Sequence, residues 1–208
     1  MSHEPLDPFA APLPDETRKP SCFVGVDVGL DGAICALYEG NPIPFIVEMP
    51  TDTIRAGTRT KPKNKRVLNG SALRQIFATI QADAGELFVL VERPQLRPAL
   101  RPSGHVCPIC RTPHMIVNQG IASSANFLGQ AELIRGILIG LGIAHEDIHP
   151  ASWKADMFHG ASDKTDARAK AAALFPASSQ RFARVKDDGL AEAALLAYYN
   201  KKRHHAPF

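Results

Sequence analysis

Apolar residues gather in short runs along the first half of the chain. Cys22–Val28 (CFVGVDV) and Ala33–Tyr38 (AICALY) flank Gly29-Leu30-Asp31-Gly32, a turn signal, and together predict a β-hairpin. Ile43–Met49 (IPFIVEM), closed by Pro50, predicts a third strand. Leu87–Val91 (LFVLV) is a continuous apolar run ending on Glu92, the pattern of a central strand buried on both faces. Ile143–His149 predicts a last short strand. Between and after these runs the period changes to that of a helix. Leu73, Ile76, Phe77 and Ile80 share one face of Asn69–Ala82. Ser123–Gly142, Trp153–Phe158 and Thr165–Phe175, the last with Asp163 as cap, also read as helices. Asp187–Tyr199 is the final one, and Lys201-Lys202-Arg203 suits a helix C-terminus. The order β-β-β-α-β-α-β-α predicts an α/β fold, a mixed sheet of five strands with helices on both faces.

Three stretches carry no such period. Residues 1–20 hold five prolines and several acids and read as a disordered tail ahead of a domain over 21–203, with 204–208 as a C-terminal tail. Arg55–Arg66 gathers Arg55, Arg59, Lys61, Lys63, Lys65 and Arg66 in one polar segment, either a solvated loop or an arm that contacts phosphates. Residues 93–118, with five prolines and the arginines Arg93 and Arg97, read as an irregular insertion.

Composition adds little to this. Apolar content of 45% and charged content of 22% are those of an ordinary globular protein. A net charge of +3 announces no nucleic-acid partner by itself, so clustering has to carry that inference. No run approaches a membrane span, and MSHEPLDPFAAPLPDE lacks a signal pattern. Four cysteines, two in strand-like runs and two in a CxxC, do not form a secreted disulfide framework. A reducing cytoplasm and no membrane association are expected.

The acids change the picture. Asp27 sits among valines, where an unpaired carboxylate is costly. Glu92 stands where the central strand leaves the core. Asp188 and Glu192 are four apart on the last helix, on a face continued by Leu195, Leu196 and Tyr199. Like charges directed at a core make sense if a divalent cation neutralises them, although an acid pair at a helix N-terminus is also favoured by the dipole. Carboxylates without histidine suit Mg2+ or Mn2+ better than zinc. Two such ions roughly 4 Å apart would serve an in-line phosphoryl displacement, with a lysine adding positive charge at the scissile phosphate.

GVDVGLDGA resembles the first strand and turn of the RNase H-like superfamily, and of the RuvC Holliday-junction resolvases in particular. The resemblance continues in order through LFVLVERPQ, SSANFLGQA, HPASWK, ASDKTDARAKA and DDGLAEAALLAYY, over most of Cys22–Tyr199. The WK and DGLAEA forms look most like the phage and prophage branch. The resemblance implies an RNase H-like fold and a nuclease that resolves four-way DNA junctions by paired, symmetric nicks, leaving 5′-phosphate and 3′-hydroxyl ends. It implies Asp27, Glu92, Asp188 and Glu192 as ligands of two Mg2+ or Mn2+ ions. Asp187 is the fallback for Asp188, because bacterial RuvC resembles an i,i+3 pair where this chain has Gly189. Lys164 resembles the family's catalytic lysine, and Lys154 a second basic residue near the phosphate. A homodimer is implied, and the small-residue face of Ser123–Gly142 is a candidate contact, with core packing as the alternative.

The chain departs from the family in the insertion after Glu92. CPIC resembles one knuckle of a zinc ribbon. His105, Cys107, Cys110 and His114 could supply four zinc ligands locally, a partner subunit could complete the site, or the segment is a ligand-free loop. Other functions compatible with the acids are a related nuclease for flaps, forks or structured RNA, and a junction-binding module with a lost active site. An actin-like ATPase shares the DxGxxG turn, but no second phosphate-binding glycine turn follows.

Overall fold

The computed structural model describes residues 18–96, 100–117, 121–158 and 164–205, with backbone alone at 100, 101, 116, 117, 121, 122, 164 and 165. Five strands form the main sheet: β1 (Cys22–Asp27), β2 (Ala33–Tyr38), β3 (Phe45–Glu48), β6 (Leu87–Glu92) and β9 (His145–Ile148). Their order is β3-β2-β1-β6-β9. The β1–β2 and β2–β3 pairs are antiparallel, whereas β1–β6 and β6–β9 are parallel. This is the mixed α/β sheet expected of an RNase H-like fold.

Alternation along the central strands divides the interior in two. Phe23, Cys35, Leu37 and Leu90 point to one face, which is covered by α3 (Pro150–Phe158), α4 (Lys164–Leu174) and α5 (Asp188–His205). Val24, Val26, Ile34 and Val91 point to the other, covered by α1 (Gly70–Asp83) and α2 (Ile121–Gly140). Helices therefore lie on both faces, as predicted. Asn69 caps α1, its side chain accepting from the Ala72 amide at 2.9 Å. A 3-10 turn over Val185–Asp187 leads into α5, which continues through His205.

Two segments without a helical or buried period are regular after all. Arg55–Arg66 is not a loop: it lies within an antiparallel hairpin of β4 (Thr51–Thr58) and β5 (Lys61–Leu68). The insertion is not irregular either: β7 (Leu100–Val106) pairs with β8 (Pro113–Val117). Each hairpin is its own two-stranded sheet. Their strands hide from a pattern search because neither has a continuous apolar face to bury, so backbone pairing alone defines them. At the other end, Lys19 Nζ donates to the Ala82 carbonyl and Gly85 N–H to the Pro20 carbonyl, tying residues from Lys19 onward to the body.

Candidate metal centre

Asp27 is the last residue of β1 and Glu92 the last of β6. The two strands are parallel neighbours, Val26 opposite Val91, so both acids emerge at the same end of the sheet. The third acid arrives on α5, which crosses β1 unusually closely. A Cβ at Gly25 would lie 2.4 Å from the Ala197 nitrogen and 2.5 Å from the Ala193 oxygen, so no larger residue fits there. Asn200, 1% exposed, fixes the same crossing by donating to the Val24 carbonyl at 3.1 Å and the Phe88 carbonyl at 2.9 Å. The outcome is that Asp27, Glu92 and Glu192, all half-buried, each bring one carboxylate oxygen to within 4.8 Å of the others.

Such an arrangement is electrostatically unfavourable as it stands. Burial pushes the Glu92 carboxyl above its ordinary range; Lys154 opposes the shift, Glu192 adds to it, and a hydrogen bond from Trp153 opposes it again. That bond runs from the fully buried indole N–H to Glu92 Oε2 at 2.9 Å, aiming the carboxylate. Lys154 Nζ stands 3.0 Å from Glu192 Oε2 and 5.1 Å from the Trp153 ring centroid. One helix, α3, thus supplies both the group that orients Glu92 and the cation at the rim. An all-carboxylate donor set of this spacing fits a hard divalent ion such as Mg2+ or Mn2+.

Asp188 shares the open cleft with Asp27 and Glu192 but stands outside the group of converging oxygens. Its Oδ1 lies 3.0 Å from Arg168 Nε of α4, an ion pair of two largely buried groups whose angle falls outside hydrogen-bond geometry. Asp187, the fallback ligand, is engaged elsewhere. It is 1% exposed, and both its oxygens accept from the Arg184 side chain while Oδ2 also takes the Arg184 N–H. These bonds hold its carboxyl below the usual range. The one-residue difference turns the two acids to opposite tasks at the start of the same helix.

The basic hairpin flanks the cleft. Arg66 donates to Asp31 Oδ1 at 2.7 Å and to the Leu30 carbonyl at 2.6 Å, beside the β1–β2 turn. Lys65 donates to Asn126 of α2 at 3.0 Å. Thr58, Ala56 and Ile54 pair with Lys61, Lys63 and Lys65, so these lysines share one face of the hairpin, while Arg55 and Arg66 share the other. Arg59 sits in the turn between the strands, and exposed Arg93 directly follows Glu92. Lys164 opens α4, but its side chain lies outside the described residues, as do Arg97 and the expected cap Asp163.

At the insertion's tip, hydrogen bonds from Thr112 and Cys107 bring the exposed Cys110 thiol down to about 7. The histidines His105 and His114 do not join these thiols in a group of three converging ligand atoms. Among the described residues no helix is long and apolar enough to cross a membrane.

Several contributors to the site gave little sign of themselves in sequence. Trp153 carried no role of its own beside the expected Lys154; Arg168, Gly25 and Asn200 act through contacts across the fold. Only Gly25 left a trace, as a glycine interrupting an otherwise β-branched run.

No protein-family description matches the sequence, and no curated protein matches it. Among solved structures, the chain is similar to T. thermophilus RuvC in complex with Holliday junction substrate, at 9% identity and a TM-score of 0.48 over 89% of this chain and 96% of that one. It is similar likewise to a Thermus thermophilus RuvC structure, at 12% identity and a TM-score of 0.46 over 88% of this chain and 96% of that one. At these values the likeness says nothing of chemistry.

Proposed function

We propose that this chain is a divalent-metal-dependent endonuclease that resolves four-way DNA junctions. The observation that carries this is the convergence of Asp27, Glu92 and Glu192 at one end of the sheet, with the basic β4–β5 hairpin anchored at the cleft rim. The motifs shared with RuvC resolvases name the substrate. Asp27, Glu92 and Glu192 would hold Mg2+ or Mn2+, and a second ion would draw on the Asp188 side of the cleft. Bound there, the metal supplies charge neutralisation at the scissile phosphate and acidifies the attacking water.

The chain's own residues supply positioning. Trp153 holds Glu92 so that its carboxylate faces the other two acids. Lys154, already at the cluster's edge, offers its ammonium to a phosphate oxygen when Glu192 turns to metal. By its motif's resemblance to the RuvC family, Lys164 would serve as a further cation in the reaction. Water attacks phosphorus, the bond to the 3′ oxygen breaks, and the 3′ oxygen takes up a proton, leaving 5′-phosphate and 3′-hydroxyl ends. Arg55, Arg59, Lys61, Lys63, Lys65 and Arg97 would contact backbone phosphates without reading sequence, with Arg66 and Arg93 closer to the cleft.

Symmetric cutting needs two such sites. Leu128, Leu133 and Ile139 are exposed along α2, which favours this helix as the contact of a homodimer. A panel of synthetic four-way junctions, flaps, forks and structured RNA tests the substrate. Paired nicks at symmetric positions on opposite strands of the junction are expected; faster cutting of flaps or RNA would replace the junction with that substrate.

A further inference from the structure

The β7–β8 hairpin poses a problem of stability. Isolated two-stranded hairpins are marginal in water. Among the described residues this one pairs with no other strand, and none of its described side chains belongs to either hydrophobic core. Val106, Ile109 and Met115 are 54%, 92% and 50% exposed, so these three do not fasten its tip. Something other than burial has to.

The turn at its tip has the form of a metal knuckle. Cys107 N–H donates to the Thr112 carbonyl at 2.9 Å, and Arg111 N–H to the Cys107 carbonyl at 3.0 Å. Arg111 takes a φ of 61°, a left-handed conformation that costs a non-glycine residue energy and is kept only where the surroundings require it. In that tight turn Cys110 Sγ meets Thr112 Oγ1 at 2.5 Å, and the Cys107 thiol helps to lower the Cys110 thiol. The strands extend the set. Val106 pairs with Pro113 at the tip end of the ladder, so His105 and Cys107, which flank Val106, and His114, which follows Pro113, stand beside that last pair, past the register shift between Pro102 and Val106. All four residues thus stand at the tip end of the hairpin, Cys110 in the turn itself, and both histidines are exposed.

We propose that Cys107, Cys110, His105 and His114 bind one structural Zn2+ that clamps the tip of the β7–β8 hairpin. Two thiolates and two imidazoles are a tetrahedral zinc donor set. Binding would displace the thiol protons and close the histidines onto the turn, replacing the missing core with coordination bonds. This site shares no ligand with the carboxylate cluster and does not depend on the nuclease function proposed above.

The test counts zinc on the purified full-length chain after exposure to Zn2+ and desalting. Release by a thiol-reactive mercurial into a chromogenic chelator should give one equivalent per chain. Cys107→Ser/Cys110→Ser and, separately, His105→Ala/His114→Ala should abolish it, whereas Asp27→Asn/Glu192→Gln should leave it unchanged. Replacement with Co2+ should give thiolate-to-cobalt charge-transfer absorption with a tetrahedral visible spectrum. In trypsin digestion, cleavage after Arg111 should be slow with zinc and fast with chelator. No zinc in the wild type, or zinc that survives the cysteine substitutions, would overturn the proposal. So would half an equivalent per chain with chelator-sensitive dimerisation, which would assign the cysteines to a site between two chains. Failure to cut junctions would leave the zinc count untouched and bear only on the nuclease.

Discussion

Asp187, just before α5, and the group of Asp27, Glu92 and Glu192, the last of them on α5, have opposite surroundings. Asp187 is buried and saturated: every oxygen accepts from Arg184, and its carboxyl is held below the ordinary range. Asp27, Glu92 and Glu192 are buried less but are aimed at one another, and burial lifts Glu92 above the ordinary range. A carboxylate placed for stability comes with its own partner, a few residues away. The three converging carboxylates are held in mutual opposition by groups from elsewhere in the fold, Trp153 on Glu92 and Lys154 on Glu192. Asp188 is intermediate, within the cleft yet paired with Arg168.

The contrast can be broken most sharply at Glu192. Glu192→Gln should lower the rate of junction nicking by about 10³-fold, comparable to removing one electrostatic group from a preorganised site, while thermal denaturation shows a fold at least as stable as wild type. Asp187→Asn should do the reverse. It removes the buried, multiply bonded carboxylate of an ion pair whose arginine is largely exposed and should cost about 1 kcal/mol by denaturant titration, with nicking per folded molecule unchanged at low temperature. Because the Asp187 carboxyl is lowered in the folded state, its contribution is present above the unfolded value and is lost as pH falls through the folded one. The destabilisation by Asp187→Asn should therefore fade in acid. Nicking lost with Asp187→Asn in a folded protein would erase the distinction between the two sets.

The distinction was only partly legible in the sequence. Asp27 and Glu92 stood out because a carboxylate within or ending an apolar run is expensive, and Glu192 because it interrupts an apolar helix face. Asp187 and Asp188 could not be separated, since which one turns toward the cleft depends on where the 3-10 turn gives way to α5. Arg168 was invisible as a partner because it comes from a different helix. The five-stranded sheet followed from hydrophobic runs and turn residues. The two hairpins did not, because the sequence of their strands offers no continuous apolar face, and a period-2 signal needs one.

Smaller effects sharpen the middle case. Asp188→Asn should remove one of two bound Mg2+ ions, measured by calorimetry, while the ion held by Asp27, Glu92 and Glu192 stays; two ions bound by the variant would leave Asp188 as the anchor of Arg168 alone. The smallest effect is expected at Glu92. A carboxyl raised by folding binds its proton more tightly in the folded state, so its contribution is favourable in acid and is lost as pH rises through the raised value. Glu92→Gln keeps an acceptor for the Trp153 indole and removes that penalty. In chelator at neutral pH it should raise Tm by about 2 °C, and the difference should vanish toward acid pH. A lower Tm at neutral pH would mean that Glu92 is already compensated without metal.

The most direct measurement pairs cleavage with binding for Asp27→Asn on a synthetic four-way junction, across Mg2+, Mn2+ and chelator. Wild type should nick in either metal and stop in chelator, and Asp27→Asn should bind the junction as tightly as wild type without nicking it. Full nicking by Asp27→Asn, or wild-type nicking that persists in chelator, would contradict a metal-binding role for the acids that converge at the end of the sheet.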